Sequence, residues 1–382
     1  MLRTIFIMFC TVVMSTASAN VQQSEQEKFI AQKFIEYANQ YDAKKLATLY
    51  DFEELGIRMA SSMGYGKEET ENWVKGFTSN APETIIQHLF AQFLIDKGRI
   101  VNPYYVTKDI IGPMMRMDLQ EGGSNYYILI IEKNKHGNLK IVDMFSATQD
   151  KLLSELLGAA GQIFSNPNPS MLGRLFGNKT IVDKALAQQF QKIGELKIAG
   201  NYQQAHQIVQ GLPAKIRKEK LIMTLSMSLS MYISDEQYSQ DLSALAEEHG
   251  DDPSLAFVLT DHYFLQEDYE KAFQVIDSFE KHYQADGQTS VLKSTYRYFQ
   301  NDLPQAKQLA EKCMKLESEL IDCYWLMIQI NLTMQDYPSV ITTLEAITNG
   351  FGIEFDTGYF VENEIYADFI KTKEYQHWIN SL

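Results

Sequence analysis

Few side chains in this 382-residue sequence have the type and spacing that catalysis requires. The sequence contains no Gly-x-Ser-x-Gly, His-Glu-x-x-His, Gly-x-Gly-x-x-Gly or Walker motif, so the common signatures of hydrolases, zinc peptidases and nucleotide-binding enzymes are absent. Two Ser-x-x-Lys matches, at Ser278 and Ser290, lack the partner motifs of serine acyl-transfer enzymes, and we interpret them as chance. The sequence therefore predicts a protein that is not an enzyme, with no catalytic residue and no cofactor.

Three ionisable residues are the remaining candidates for acid–base chemistry. His88 lies on the apolar face of a predicted helix, and Asp118 and Asp143 fall within or near predicted strands. A carboxyl group that points into an enclosed pocket has a raised pKa and can act as a general base. A core position for His88 and solvent-facing positions for the two acids are the commoner outcomes, and we favour them.

Charge and metal-ligating residues exclude two further classes of function. The chain has 34 Lys and Arg against 49 Asp and Glu, a net charge of −15, which disfavours nucleic acid and anionic lipid as partners. Three cysteines and seven scattered histidines are too few for a disulfide scaffold or a zinc centre. We therefore predict no nucleic-acid partner and no metal.

The chain begins, at positions 1–19, with the features of a cleavable signal peptide. The basic start Met1-Leu2-Arg3 precedes an apolar stretch from Ile5 to Met14, and Ala17-Ser18-Ala19 suits cleavage before Asn20. The apolar stretch is shorter than the roughly 20 residues needed to span a membrane, and no later run reaches that length. The sequence predicts a periplasmic or secreted protein without a transmembrane segment, and a mature chain with two cysteines and a net charge of −16.

Residues 20–157 are predicted to form one α+β domain. From Ser24 to about Asp96 apolar residues recur at helical spacing, with a break near Asp42 and a helix start at Asn80-Ala81-Pro82-Glu83. After Gly98 the pattern is that of strands. Four strands are expected, at Ile100–Thr107, Met114–Leu119, Tyr126–Glu132 and Leu139–Phe145, with turns at Gly112-Pro113, Gly122-Gly123 and His136-Gly137-Asn138. Such short turns predict an antiparallel four-stranded meander over the helical layer.

This order of elements resembles the cystatin-like cone of the nuclear transport factor 2-like superfamily over residues 24–157, and Gly137 to Asp143 is similar to its final hairpin. No catalytic motif of that superfamily matches residue by residue. The resemblance implies a cone that either encloses a small-ligand pocket or serves as a packing or dimerising surface. The domain is predicted to end in a linker at 158–181, where Gly158-Ala159-Ala160-Gly161 and Ser165 to Ser170 interrupt regular structure.

A short phrase recurs in the second half of the chain, where strand patterns are absent. It covers Gly200 to Ala205, Glu267 to Ala272, Asn301 to Ala306 and Gln335 to Val340. The last three copies are 34 residues apart, which is the period of the tetratricopeptide repeat (TPR), and the first lies two periods earlier, less one residue. Residues 182–352 therefore resemble about five TPR units of two antiparallel helices. One unit has lost its phrase and one residue, and we place its second helix near Tyr238 to His249. Residues 353–382 have helical spacing of Ile365, Phe369, Tyr375, Trp378 and Ile379, and we predict that they cap the repeats. The alternative is that aromatic residues of this segment dock a partner helix.

The turn before Ala306 departs from the pattern. Tyr263 lies nine residues before Ala272, whereas Tyr296 lies ten before Ala306, so we predict one extra residue in this turn. Without that shift, Lys293 and Arg297 would occupy positions that are normally apolar.

The TPR resemblance implies a concave face, lined by the first helices, that binds a peptide or a helix of another protein. By the family's pattern, the groove-facing residues are Phe257, Asp261, Phe264, Tyr298 or its neighbour Phe299, Trp325, Gln329 and Leu332. We expect Trp325 to be the main anchor, although an aromatic residue at such a position is more often part of the core. These positions hold no Arg and Lys cluster of the kind that clamps a terminal carboxylate.

Cys313 and Cys323 lie about equally far from the turn near Ser318 that joins two repeat helices. Antiparallel helices bring such positions together, so in an oxidising compartment we predict a disulfide. The alternative is two buried thiols that act as small apolar residues.

The fold class is therefore an α+β domain followed by an all-α TPR solenoid. The predicted function is an exported adaptor that binds another envelope protein or peptide through its concave face. The alternative is a cone domain that binds or transforms a small ligand while the repeats position it, and self-association is a third possibility.

Overall fold

A computed structural model describes residues 25–90, 95–106, 110–119, 124–160 and 184–380. The chain divides into two compact units, Met1–Gly250 and Asp251–Leu382. The predicted signal peptide, and the predicted linker beyond residue 160, lie outside the described residues.

A layer of five helices opens the first unit. Helix α1 covers 25–39, and α2 to α5 cover Ala43–Ala47, Phe52–Ser62, Lys67–Phe77 and Pro82–Phe90. Asp42 and Asp51 cap α2 and α3 by accepting hydrogen bonds from the N–H groups of Lys45 and Glu54. The predicted break near Asp42 and the predicted helix start at Pro82 are both confirmed.

An antiparallel sheet follows the helices. Its strands are β1 (Ile95–Val106), β2 (Ile111–Leu119), β3 (Ser124–Lys133), β4 (Leu139–Ser146) and β5 (Lys151–Leu152), paired in sequence order. The meander is confirmed, but the predicted count of four strands is wrong, because β5 has only two residues and shows no periodicity. Helix α6 (Leu153–Ala160) continues directly from β5.

One predicted turn lies inside a strand. Gly112 and Pro113 belong to β2, where Gly112 pairs with Tyr105 of β1. A Cβ atom on Gly112 would collide with the carbonyl oxygen of Leu129 on β3, so glycine permits the close approach of the two strands. Pro113 coincides with an irregularity in the β1–β2 register, where a missing N–H is tolerated.

The other predicted turns have separate outcomes. The turn at His136-Gly137-Asn138 is confirmed: Gly137 has a φ of 78°, and the N–H of Asn134 bonds to the carbonyl of Asn138. Gly122-Gly123 lies outside the described residues.

Alternation along β2 and β3 places one set of side chains against the helices. Met115 and Met117 of β2, and Tyr127 and Leu129 of β3, share a core with Phe34 of α1. This period of two is what a sheet that packs on one helical layer requires. The α+β class of this region is therefore confirmed.

The first unit ends in further helices. These are α7 (Lys184–Ile198), α8 (Tyr202–Gln210), α9 (Ala214–Arg217), α10 (Lys220–Ser230) and α11 (Asp235–His249). The second helix that we predict near Tyr238 to His249, in the repeat unit without the phrase, is α11.

The second unit consists of helical hairpins. After a 3-10 turn at Pro253–Leu255, its helices are α12 (Ala256–Leu265), α13 (Tyr269–Tyr283), α14 (Gly287–Phe299), α15 (Leu303–Leu316), α16 (Ile321–Thr333) and α17 (Tyr337–Phe351). The last segment contains α18 (Thr357–Glu362), 3-10 turns at Glu364–Tyr366 and Phe369–Lys371, and α19 (Lys373–Ile379). Its buried aromatic residues share a core with Val340 and Leu344 of α17, and they are Phe360, Tyr366, Phe369, Tyr375 and Trp378.

The same turn joins the two helices of successive hairpins. The residue before the cap has a left-handed φ of 73° at Gly200, 57° at Glu267, 61° at Asn301 and 57° at Gln335. The N–H of the next residue bonds to the carbonyl five positions earlier in all four turns, for example from Asp268 to Tyr263 at 2.9 Å. This backbone pattern closes each helix and starts the next.

The caps fix the period of the repeat. Positions 201, 234, 268, 302 and 336 cap the second helix of each hairpin. The last three intervals equal the TPR period, and the first is one residue shorter. The stretch from Ala205 to Ala272 is therefore two units with one residue missing, as predicted. The small or aliphatic residues four positions after the caps are fully buried, and they are Ala205, Ala272, Ala306 and Val340.

The predicted extra residue before Ala306 is wrong. The N–H of Asp302 bonds to the carbonyl of Arg297 at 2.9 Å, which is the bond that Asp268 makes to Tyr263. The two turns have the same length, and Arg297, not Tyr296, is the equivalent of Tyr263. Phe264, Tyr298 and Leu332 are consequently equivalent positions.

The left-handed turn generates a stability prediction. Gly200→Ala should lower the free energy of unfolding by about 1 kcal/mol, because an L-residue pays that cost in this conformation. Gly76→Ala, in the right-handed helix α4, should instead raise it by about 0.5 kcal/mol. A Cβ has open space at both sites, so urea unfolding of the two variants isolates the backbone effect. Equal effects of the two substitutions would contradict the account of the turn.

Candidate functional site

A cleft of about 400 Å³ opens in the second unit between the ends of two repeat helices and the last segment. Tyr298 of α14 and Gln329 and Leu332 of α16 form one wall. Glu364, Ile365, Ala367, Asp368 and Phe369 form the other, and Tyr337 completes it. The cleft therefore has a mixed lining, in which apolar side chains lie among polar ones and two carboxylates.

Helical spacing and one hydrogen bond position the repeat wall. Gln329 and Leu332 are three residues apart, so they lie on the same face of α16. The hydroxyl of Tyr298 lies 3.1 Å from the Oγ1 atom of Thr333, which joins α14 to the end of α16. Tyr298 thereby has a fixed polar end and leaves its ring to the cleft.

Buried aromatic residues position the opposite wall. Tyr366 and Phe369 are 1% and 0% exposed, and the Phe369 ring lies 5.8 Å from that of Tyr337. Ile365 precedes Tyr366 and is 59% exposed. A rigid support therefore presents an aliphatic side chain to solvent, which is the usual form of an interface anchor.

Three of the predicted groove residues line this cleft together, namely Tyr298, Gln329 and Leu332. Trp325 is half-buried and packs edge-on against Phe355, with ring centroids 6.0 Å apart. It therefore contributes to internal packing in this structure.

The other predicted groove residues lie on α12. Phe257 packs edge-on against Phe279 of its own hairpin, with ring centroids 4.8 Å apart. Phe264 contacts Phe299, with ring centroids 5.1 Å apart. Asp261 is exposed at its surface, and partial desolvation by its surroundings raises the pKa of its carboxyl group.

An exposed apolar residue lies three positions before the cap of the second helix in four of the five hairpins, and Thr333 takes this position in the last. Leu265 and Phe299 of the second unit are 67% and 51% exposed, and Ile198 and Met231 of the first unit are 88% and 60% exposed. These residues recur with the caps, so the repeat period contained a signal that sequence reasoning did not use. Ile365 is predicted from the sequence only as part of the cap, and Glu364 and Asp368 are not predicted as site residues because the 34-residue period does not extend into the last segment.

Lys293 and Arg297 occupy normally apolar positions, as the unshifted repeat requires. The Nζ atom of Lys293 pairs with Glu280 at 2.9 Å and also with Asp277, while Arg297 stacks 4.0 Å from the Phe273 ring centroid. Burial alone would lower the pKa of Lys293, but hydrogen bonds and charge from these two acids outweigh burial and raise it. Charged pairs thus replace apolar contacts between α13 and α14.

Cys313 and Cys323 are joined by a disulfide, with their Cα atoms 5.7 Å apart. Both residues are fully buried, on α15 and α16. The bond links two successive hairpins near the start of α16, whereas the cleft is lined by the end of that helix.

The two strand acids have structural partners. Asp143 is fully buried in β4, where it accepts hydrogen bonds from the N–H and hydroxyl groups of Ser154 at 3.1 and 2.6 Å. Burial raises its pKa, but its oxygens hold the first turn of α6. Asp118 is part-buried and accepts hydrogen bonds from Arg116 and Ser124, both at 2.7 Å. The expectation of solvent-facing acids is therefore wrong, and the His88 side chain lies outside the described residues.

A polar cavity of about 260 Å³ lies among α8, α10 and α11. Asp241 accepts a hydrogen bond from Ser226 at 2.8 Å and contacts the Nε2 atom of His206 at 2.7 Å. Because Ser226 bonds to the carboxylate and not to His206, it has no adjacent imidazole base of the kind that activates a serine nucleophile. The arrangement serves to satisfy buried polar groups.

Within the described ranges, no group of three His, Cys, Asp or Glu side chains is placed to hold a metal ion. None of the helices in the described part of the chain has the length and apolar content needed to cross a membrane.

The hairpins, their regularly spaced caps and their buried small residues have the geometry of tetratricopeptide repeats. Among solved structures, this chain is similar to MamA from Desulfovibrio magneticus (11% identity, 44% of this chain, 95% of that chain, TM-score 0.37). It is also similar to YrrB, described as a TPR protein with an unusual peptide-binding site (10% identity, 43% of this chain, 84% of that chain, TM-score 0.32). A third similar structure is the TPR2AB domain of yeast Sti1 in a pHSP90 complex (12% identity, 55% of this chain, 90% of that chain, TM-score 0.25).

No protein-family model and no curated protein matches the sequence.

The disulfide yields a chemical prediction. In the mature protein purified from an oxidising compartment, a thiol reagent added after unfolding should label neither Cys313 nor Cys323, and reduction should expose both. Mass spectrometry counts the labels. Two labels without reductant would show that the cysteines are free thiols.

The charge cluster yields a stability prediction. Lys293→Ala should lower the free energy of unfolding by about 3 kcal/mol, because Glu280 would keep a buried charge without its partner. Lys312→Ala, on the exposed face of α15, should change it by less than about 0.5 kcal/mol. Urea unfolding measures both variants, and similar values would contradict the role given to the cluster.

Proposed function

We propose that this chain is an exported, non-enzymatic adaptor that binds a segment of another protein in the cleft between its repeats and its last segment. The observation that carries this proposal is the cleft itself, in which Ile365 is 59% exposed beside Tyr298 and Leu332. A buried apolar anchor within a ring of polar residues is the usual energetic centre of a protein interface.

The binding energy would come from apolar burial. Complete burial of one Ile side chain contributes about 1.5–3 kcal/mol, and the Tyr298 ring adds a rigid contact surface. The wall residues are already ordered by the Tyr298–Thr333 contact and by the buried Phe369, so a partner would pay little to order them. This geometry favours a preformed site.

Export is part of the proposal because positions 1–19 have the pattern of a signal peptide. An oxidising compartment would also keep the Cys313–Cys323 bond intact. The partner would then be a protein of the cell envelope or of the extracellular space.

A photo-crosslinking amino acid tests the binding site. Placed at position 365 of the mature protein, it should give one dominant adduct, whereas the same group at position 361 should give none. Val361 is the matched control, since it is 68% exposed, close in sequence and outside the cleft lining.

The protein identified in the adduct can then be purified, and its affinity for variants of this chain can be compared. Ile365→Ser should weaken binding about tenfold, because it removes the apolar contact, and Val361→Ser should leave it unchanged. An adduct of two copies of this chain would identify self-association. Equal cross-linking at both positions, or equal affinity of the two variants, would exclude the cleft as the binding site.

A further inference from the structure

The charges around the cleft are of one sign. The cleft lining contains the carboxylates of Glu364 and Asp368, and the predicted groove adds Asp261. None of the described residues that line the cleft or form the predicted groove is Lys, Arg or His. The charged side chains among these described lining and groove residues are therefore all acidic, and they lie beside apolar and uncharged polar side chains.

Nearby cations compensate these charges only in part. Lys371 pairs with Asp368 at 2.9 Å, but both side chains are largely exposed, and such pairs are weak. Lys307 pairs with Asp336 and is not in the lining. Glu364 makes no ion pair with any described residue, so its carboxylate in the cleft lining can pair with a cation of a bound partner.

Asp261, in the predicted groove, is a second carboxylate without an ion pair among the described residues. Its surroundings partly desolvate it. The same unit pairs Asp277 and Glu280 with Lys293, and Glu270 with Arg297 at 2.8 Å. Within the described residues, the unit therefore pairs acidic residues between its helices and leaves Glu364 of the cleft and Asp261 of the groove without an ion pair.

We propose that the occupant of the cleft is a basic and apolar protein segment, in which an aliphatic or aromatic side chain is flanked by Lys or Arg. The apolar side chain would contact Ile365, Leu332 and Tyr298, and the flanking cation would pair with Glu364. Opposite charge at the rim of an apolar contact increases the association rate and selects the partner. This inference rests on the proposed function and names the chemistry of the partner.

The same charges reject another class of partner. A phosphorylated segment, or one that ends in a free carboxylate at the contact, would place negative charge against Glu364 and Asp368. No cation in the cleft lining is available to pair with it. Specificity would therefore come from repulsion as well as attraction.

Two fluorescent peptides test the proposal on the full mature chain. Both carry the same apolar residues, and one has Lys where the other has Glu. The Lys peptide should bind at least tenfold more tightly at about 10 mM salt, and raising the salt to about 150 mM should reduce the difference. Fluorescence anisotropy measures both affinities.

A charge-matched pair of variants separates the cleft from the net charge of the chain. The double substitution E364Q and D368N should weaken binding of the Lys peptide about fivefold. The control, E311Q and E345Q, removes two exposed charges outside the cleft and should leave the affinity unchanged.

Two outcomes would overturn the inference: equal binding of the two peptides, or equal losses in the two double variants. Ile365→Ser keeps this test separate from that of the proposed function. If it weakens binding of the partner while E364Q and D368N do not, the cleft binds a partner but its charges do not select it. If none of these substitutions weakens binding, the cleft is not the site.

Discussion

The left-handed turn that joins the two helices in four of the five hairpins is the constraint on which the repeats depend. One residue with positive φ ends the first helix, and the next residue caps the second while its N–H bonds five positions back. Because this turn is the same in the four hairpins, residues at a fixed distance before the cap take equivalent positions in them. Tyr298 and Leu332 are one such pair, four residues before Asp302 and Asp336. The wall of the cleft is thus a direct consequence of the turn.

Acidic residues of the second unit lie in two different electrostatic environments. Between α13 and α14, Lys293 and Arg297 neutralise acids at positions where most repeats have apolar side chains. Around the cleft, exposed Glu364 lies in the lining and makes no ion pair with any described residue. A charge is costly to bury without a partner, so the largely buried Glu280 is paired inside the unit, whereas a bound partner can supply the cation for Glu364.

Much of the fold could be predicted from local sequence patterns, because helical period, cap chemistry and the spacing of the repeated phrase can all be read along the chain. The errors came from tertiary context. Gly112-Pro113 has the composition of a turn, but the close approach of Leu129 makes it part of a strand. Arg297 looked misplaced because its partner Glu270 lies on the preceding helix, α13. The repeat wall was predictable from the period, whereas the wall that contains Ile365 depends on how Tyr366 and Phe369 dock onto the last repeat.

Hydrogen–deuterium exchange of the mature protein, with and without its cross-linking partner, tests the central claim most directly. The account predicts slower exchange on binding in two places, the end of α16 through the following turn and the segment around 364–369, because a bound segment would cover both walls of the cleft. The open groove between α3 and α4, which is lined by Ile57 and Val74, should be unaffected. Protection confined to that groove or to other surfaces, with unchanged exchange around 364–369, would contradict the account.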